Sequence, residues 1–494
     1  MQQANASPEE LREYAERSNQ EKLSISLRML DRYMAYTPRK GDRQDPRPTQ
    51  SPGGLPRSNR SLRSDDENAI VEVLDQITLF VVTGRPGEVV SAVFTDFSQA
   101  QVRLSANGVP SSAQRQHTEA FFTLLRATRR ENVVENRVRL RKMIYTFCAQ
   151  TIKVRMWKIW KSLYGDRDTM KELEQAIENL EKEDETPVSE SVVPGYQNLG
   201  LVYSNINISD LLPSQLVRQM VGDLYTQAGK WKEVNNIIVP DDDEIQRTCL
   251  LAHILGVSRV MISQHISIRK LVSRLMKLGR FWHGILSLMD WAIQCHEERK
   301  SIQYSWIPEG TQSHKRMRAF KLGTRPEVVV EYLANSRSPN VPLNDIDWKV
   351  LKAIFHGWNS GELVHPVLHC EVAIIMAYLD HDKQKMPRII TCNKRSCFTC
   401  QKWIDLFNQI RRTRWSTLGS HMKYYMQWQF PGTVVANPIF DEVDEALLKL
   451  VEDEAFNYLV RGKITQDLPA MQSDDDASLP SGSPKTDIAF SIAP

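Results

Sequence analysis

Apolar positions recur with a helical period along most of the chain, and alternation appears in only one short stretch. Ser7 followed by Glu10 forms a capping box, and Leu11, Tyr14, Leu23, Ile25, Leu27 and Leu30 continue a helical stripe. Together they predict an N-terminal helix to about Tyr36, within a segment 1–37. Residues 38–64 lose the apolar positions and carry five Pro and seven Lys or Arg against two Asp, the composition of a basic, disordered linker. Asp65 and Asp66 then open a helix with the stripe Ile70, Val71, Leu74, Ile77, Leu79 and Phe80, which stops by Gly84. Val89, Val90, Ala92 and Phe94, then Val102, Leu104 and Ala106 ahead of Asn107 and Gly108, predict a hairpin of two short strands.

From about Ser112 to Ala353 the pattern is helical almost throughout, with Val138–Tyr164 and Ser258–Cys295 its longest members and no fixed-period repeat. Further on, helices beginning at His369 and at Cys397 flank a short buried strand, Arg388–Cys392. Past Gly462 the chain turns to Ser, Pro, Asp and Gly, a disordered tail over 463–494.

Composition narrows the function classes. Of 494 residues 41% are hydrophobic and 11 are Trp, enough for a large buried core, which excludes a fibrous or wholly disordered chain. The net charge of +3 gives no whole-molecule pull toward polyanions, so any such site must be local. One local candidate is the stripe from Arg126 to Lys161, with eleven basic residues against Glu131 and Glu135 and with Tyr145, Trp157 and Trp160 interleaved. It could track a nucleic acid or simply coat the outside of helices. No apolar run approaches the ~18 residues of a membrane span, and Glu9 and Glu10 sit where a secretory leader would be basic. A soluble, intracellular protein with no membrane partner is expected. Seven cysteines are too few and too uneven for a disulfide framework, and Cys370, Cys392, Cys397 and Cys400 crowd into 31 positions.

That crowding carries the chemistry. Residues 365–371 read HPVLHCE and residues 392–400 read CNKRSCFTC. A catalytic zinc site needs three protein ligands and one open position, and His369, Cys397 and Cys400 supply one imidazole and two thiolates, each at a helix start where the dipole favours anions. Glu371, two residues after the histidine, can reach a water at the open position and shuttle its proton without ligating. Other arrangements use the same residues. Cys370 or Cys392 could close the site as a structural fourth ligand, and Cys392, Cys397 and Cys400 have iron–sulfur spacing but lack a following cysteine. The set could also be ordinary core residues. His365 and His381 are not needed as ligands.

With H-x-E at His369–Glu371 and C-x-x-C at Cys397–Cys400, the chain resembles the zinc-dependent cytidine deaminase superfamily. Ser396 stands where that superfamily usually has Pro. The wider context, with GSHMKYYMQWQFP at Gly419–Pro431, looks like a fungal branch of nucleic acid or nucleotide deaminases. The resemblance implies an α/β fold, a cytidine deaminase-like three-layer sandwich with a mixed sheet flanked by helices. Its helix and hairpin would have to come from Asp66–Thr83 and Glu88–Asn107, so residues 65–111 and 357–462 would form one domain and 112–356 a large all-α insertion. It implies Zn2+ and hydrolytic deamination of a nucleobase in a nucleoside, nucleotide or nucleic acid, or else an inactive interaction module that keeps zinc for structure. It places Asn107 near a substrate sugar and His421, Lys423 and Trp428 along the pocket.

Overall fold

The computed structural model describes residues 6–36, 64–85, 87–183, 187–189, 191–203, 206–230, 242–258, 266–307, 317–337, 348–379 and 388–459. Nearly all of the expected linker, the whole tail and His381 lie outside the described residues.

The N-terminal segment forms two helices where one was expected, α1 (Pro8–Ala15) and α2 (Asn19–Tyr36). The reason is a second capping pair. Ser18 accepts from the Glu21 N–H and the Glu21 carboxylate accepts from the Ser18 N–H, which starts a new helix after α1 has been closed by Glu16. Helix α3 (Asp65–Phe80) begins with the same device at Ser64 and Glu67, one residue before the expected Asp65 and Asp66.

Strands β1 (Val90–Asp96) and β2 (Gln101–Ala106) form the expected hairpin, antiparallel with Val90 opposite Ala106. The helical block follows as α4 (Ser112–Ala127), α5 (Val133–Phe147), α6 (Ala149–Gly165), α7 (Arg167–Glu183), α8 (Pro213–Lys230), α9 (Asp242–Val257) and α10 (Ile266–Glu297). The long helix expected over 138–164 is broken at Cys148, which is fully buried with its Sγ facing the carbonyls of Leu79, Phe80 and Val82.

The expected all-α character of 112–356 needs correction. Strand β3 (Gln303–Trp306) pairs parallel to β2, and β4 (Phe320–Lys321) pairs with β5 (Leu363–Val364). Four residues are too few for alternation to show in the sequence. Packing holds β3 instead, since the Tyr304 ring stacks on Phe122 at 4.3 Å and its hydroxyl donates to Glu119. After α11 (Pro326–Arg337) and α12 (Trp348–Ile354) come α13 (Cys370–Ala377), β6 (Ile389–Cys392), α14 (Phe398–Arg411), β7 (Ser416–Thr417) and α15 (Pro438–Leu459).

The sheet runs β3-β2-β1-β6-β7 and is mixed, with β1 antiparallel to β6 and β6 parallel to β7. Side chains alternate across it. Val90, Ala92 and Phe94 enter a core shared with α3 and the helical block, whereas Val93 enters a second core with α2, α11, α13, α14 and α15, and Ser91 touches Cys370 of α13. Helices therefore cover both faces, and α11 packs with the second core. Among the described residues no helix is long and apolar enough to cross a membrane.

Candidate active site

Pairing of Ser91 with Cys392 and of Ala92 with Thr391 fixes β6 beside the hairpin, so the helix starts on either side of β6 in sequence meet at one end of the sheet. His369 is the N-cap residue of α13 and Cys397 that of α14, both with extended backbones. An N-cap group faces the unpaired N–H groups of the first turn, and the Cys397 sulfur accepts the Cys400 N–H at 3.3 Å.

The His369 Nδ1 lies 3.2 Å from the Cys400 Sγ and 3.6 Å from the Cys397 Sγ, and all three donor atoms lie within 4.8 Å of one another. No fourth His, Cys, Asp or Glu among the described residues comes within that distance of all three. Cys370 and Cys392 group separately, around Glu371. One imidazole nitrogen and two thiol sulfurs converge as a donor set that fits a zinc ion.

Glu371 is 3% exposed, with its Oε2 3.9 Å from the Cys400 Sγ and 3.4 Å from the Cys370 Sγ. Burial pushes its carboxyl above the ordinary range despite the opposing pull of His369. Burial would also raise the Cys397 thiol, but hydrogen bonding from Cys400 and the His369 imidazole beside it outweigh burial and hold it well below an ordinary thiol. Negative charge is thus favoured on the Cys397 sulfur.

The other expected residues fall around this cluster in different ways. Asn107, at the end of β2, accepts the Cys370 N–H on its Oδ1 at 2.8 Å and so ties the hairpin to the first turn of α13. Trp428 is fully buried, and its indole N–H donates to the Cys400 Sγ at 3.3 Å, so it backs the sulfur instead of lining an opening. His421 and Lys423 are half-buried on a loop strapped to the start of α14. Ser396 N–H donates to the Gly419 carbonyl, His421 N–H to the Ser396 carbonyl, and Phe398 N–H to the Lys423 carbonyl. Gly419 permits this course with a φ of +105°, a conformation that side chains resist.

Residues not singled out from the sequence complete the surroundings. The Tyr425 ring lies 6.0 Å from that of His369 and 5.7 Å from that of His421 while remaining 37% exposed, which puts an aromatic surface at the edge of the cluster. Asp31 of α2 is close enough to interact electrostatically with Tyr425 and Lys423. Gln20, also on α2, donates to the Trp428 carbonyl at 2.7 Å and accepts the Phe430 N–H at 2.8 Å, both buried. A tyrosine within an aromatic-rich run was a visible signal; the contribution of α2, hundreds of positions away, left none.

Residues 368–432 match a family model described as "OTT_1508_deam:-like deaminase", a finding consistent with the cytidine deaminase-like superfamily. The matched segment contains His369, Glu371, Cys397, Cys400, His421, Lys423 and Trp428, whereas Asn107 lies outside it. No curated protein and no solved structure matches the chain.

Proposed function

We propose that the chain is a zinc-dependent hydrolytic deaminase that removes the exocyclic amino group of a nucleobase carried in a nucleoside, nucleotide or nucleic acid. The observation that carries this reading is the three-donor cluster with Glu371 against it and no fourth His, Cys, Asp or Glu grouped with it among the described residues. His369, Cys397 and Cys400 would hold the zinc ion, which would supply Lewis acidity when bound. Glu371 takes a proton from the attacking water as the C–O bond forms and passes it to the amino nitrogen as the C–N bond breaks and ammonia leaves. A buried carboxyl with a raised pKa can do both. Asn107 holds the first turn of α13, and with it Glu371, at a fixed distance from the hairpin. Tyr425, His421 and Lys423 border the approach and would contact the base and its sugar. The two thiol ligands must stay reduced to bind metal, which fits a reducing intracellular compartment.

The sheet with helices on both faces is then a three-layer deaminase sandwich, built from 65–111 and 357–459 with β3 added at the sheet edge and α2 and α11 added to its core, and the helical block interrupts it. Nucleosides and single-stranded oligonucleotides screened for ammonia release test the reading. Glu371→Ala should abolish release while the chain keeps about one equivalent of zinc, and Cys400→Ser should lose the metal. Ammonia release that survives Glu371→Ala would overturn it.

A further inference from the structure

The helical block contains a surface that the site chemistry does not use. Helix α6 buries Ile152, Met156, Ile159 and Leu163 on one side. Its other side exposes Val154 at 39%, Trp157 at 45% and Tyr164 at 38%. The helix carries Lys153, Arg155, Lys158 and Lys161 and no acidic residue. Arg155 turns inward, donating to the Lys277 carbonyl and lying over the Phe281 ring, but Lys161 is exposed with its Nζ 5.5 Å from the centre of the Trp157 ring. Lys153, Trp157, Lys161 and Tyr164 follow one another at spacings of three and four, so they share a face, and from Lys153 to Tyr164 that face runs about 16 Å. The Tyr164 ring is held rigid, stacked on Tyr225 at 4.2 Å with its hydroxyl donating to the Tyr225 carbonyl. The remainder of the basic stripe is partly neutralised, since Arg126, Arg130 and Arg139 pair with Glu119, Glu297 and Glu135.

We infer that this face of α6 docks single-stranded nucleic acid, with Trp157 stacking on a base and Lys153 and Lys161 following the phosphates. Alternating cations and aromatic faces without an acidic residue complement a chain of alternating anions and flat bases. A duplex keeps its bases stacked on one another and offers no such partner to Trp157. The inference rests on the proposed nucleobase chemistry and narrows the substrate class to a polynucleotide.

Fluorescence anisotropy of the full, zinc-loaded chain with labelled oligothymidylate and the matching RNA tests it. Binding should weaken steeply with salt. Trp157→Ala should reduce affinity by about tenfold, Trp157→Phe should retain most of it, and Lys153→Glu/Lys161→Glu should both weaken binding and flatten the salt dependence, each with an unchanged circular dichroism spectrum. Parental affinity and salt slope in Trp157→Ala and in the lysine variant would overturn the inference, as would binding to anionic phosphatidylserine vesicles with none to oligonucleotide. Turnover of free nucleosides without oligonucleotide binding would overturn it and leave the deaminase reading intact. Oligonucleotide binding dependent on Trp157, with no deamination of any substrate, would support the docking surface and count against the deaminase.

Discussion

Trp428→Phe removes a single N–H while leaving an aromatic ring in place, and its consequence can be worked out from the site. Trp428 is fully buried, and its Nε1 stands 3.3 Å from the Cys400 Sγ. Its main-chain contacts, the carbonyl that accepts from Gln20 and the bridge to Val367, do not depend on the side chain. A hydrogen bond to a charged group contributes about 1.5–3 kcal/mol. Burial and the neighbouring Cys397 hold the Cys400 thiol well above its ordinary range in the absence of a metal, so the sulfur carries full charge chiefly when it ligates one. The loss therefore falls on the metal-bound state, and zinc affinity should drop about 10- to 100-fold. The smaller ring also leaves a gap, which destabilises metal-free and metal-bound chains alike. Competition against a chromophoric chelator measures the affinity, and melting of the chelator-stripped chain measures the packing loss. Wild-type zinc affinity in Trp428→Phe would refute the argument that the indole stabilises the thiolate.

Gln20→Ala leaves the Phe430 N–H and the Trp428 carbonyl buried without a partner, which should cost about 2–4 kcal/mol and lower the thermal midpoint by several degrees; a loss below about 0.5 kcal/mol would mean that α2 is not fastened to the site. Asp444 accepts from the Trp403 indole at 2.9 Å and the Gly432 N–H at 2.7 Å, and burial pushes its carboxyl up to about 8 against ~3.9 in an unfolded chain. Between those values the native state keeps a proton that the unfolded chain has released, so this group's contribution to stability is full below ~4 and declines as pH rises toward ~8. The stability advantage of wild type over Asp444→Asn should accordingly shrink from about pH 5 to about pH 8, and an advantage that grows over that interval would contradict the assignment.

Legibility in the sequence followed the range of the interaction. The capping pair at Ser7 and Glu10, the α3 stripe and the β1–β2 hairpin are local, and each shows in a few neighbouring residues. The spacing of His369, Glu371, Cys397 and Cys400 was equally plain because metal geometry restricts both residue type and offset. That β6 joins the hairpin could be argued only by elimination, since the sequence just upstream of His369 shows no hairpin pattern and an apolar α13 needs a sheet to cover it. Ser18 and Glu21 repeat the capping signal seen at Ser7, yet the continuing apolar stripe hides the break between α1 and α2. Strand β3 has four residues and depends on Phe122 and Glu119 for its place, and Gln20 meets Trp428 across 408 positions. Contacts of that range depend on how completed elements pack, and they leave no period or motif to read.

Whether a fourth position stays open when metal binds His369, Cys397 and Cys400 separates a catalyst from a structural zinc module most directly. X-ray absorption at the zinc edge of the full chain, loaded with one equivalent of metal, counts the ligands. His369, Cys397 and Cys400 predict two sulfur neighbours at about 2.3 Å and one imidazole, completed by a light atom from solvent. A third or fourth sulfur, drawn from Cys370 or Cys392, would show a closed site and contradict the account.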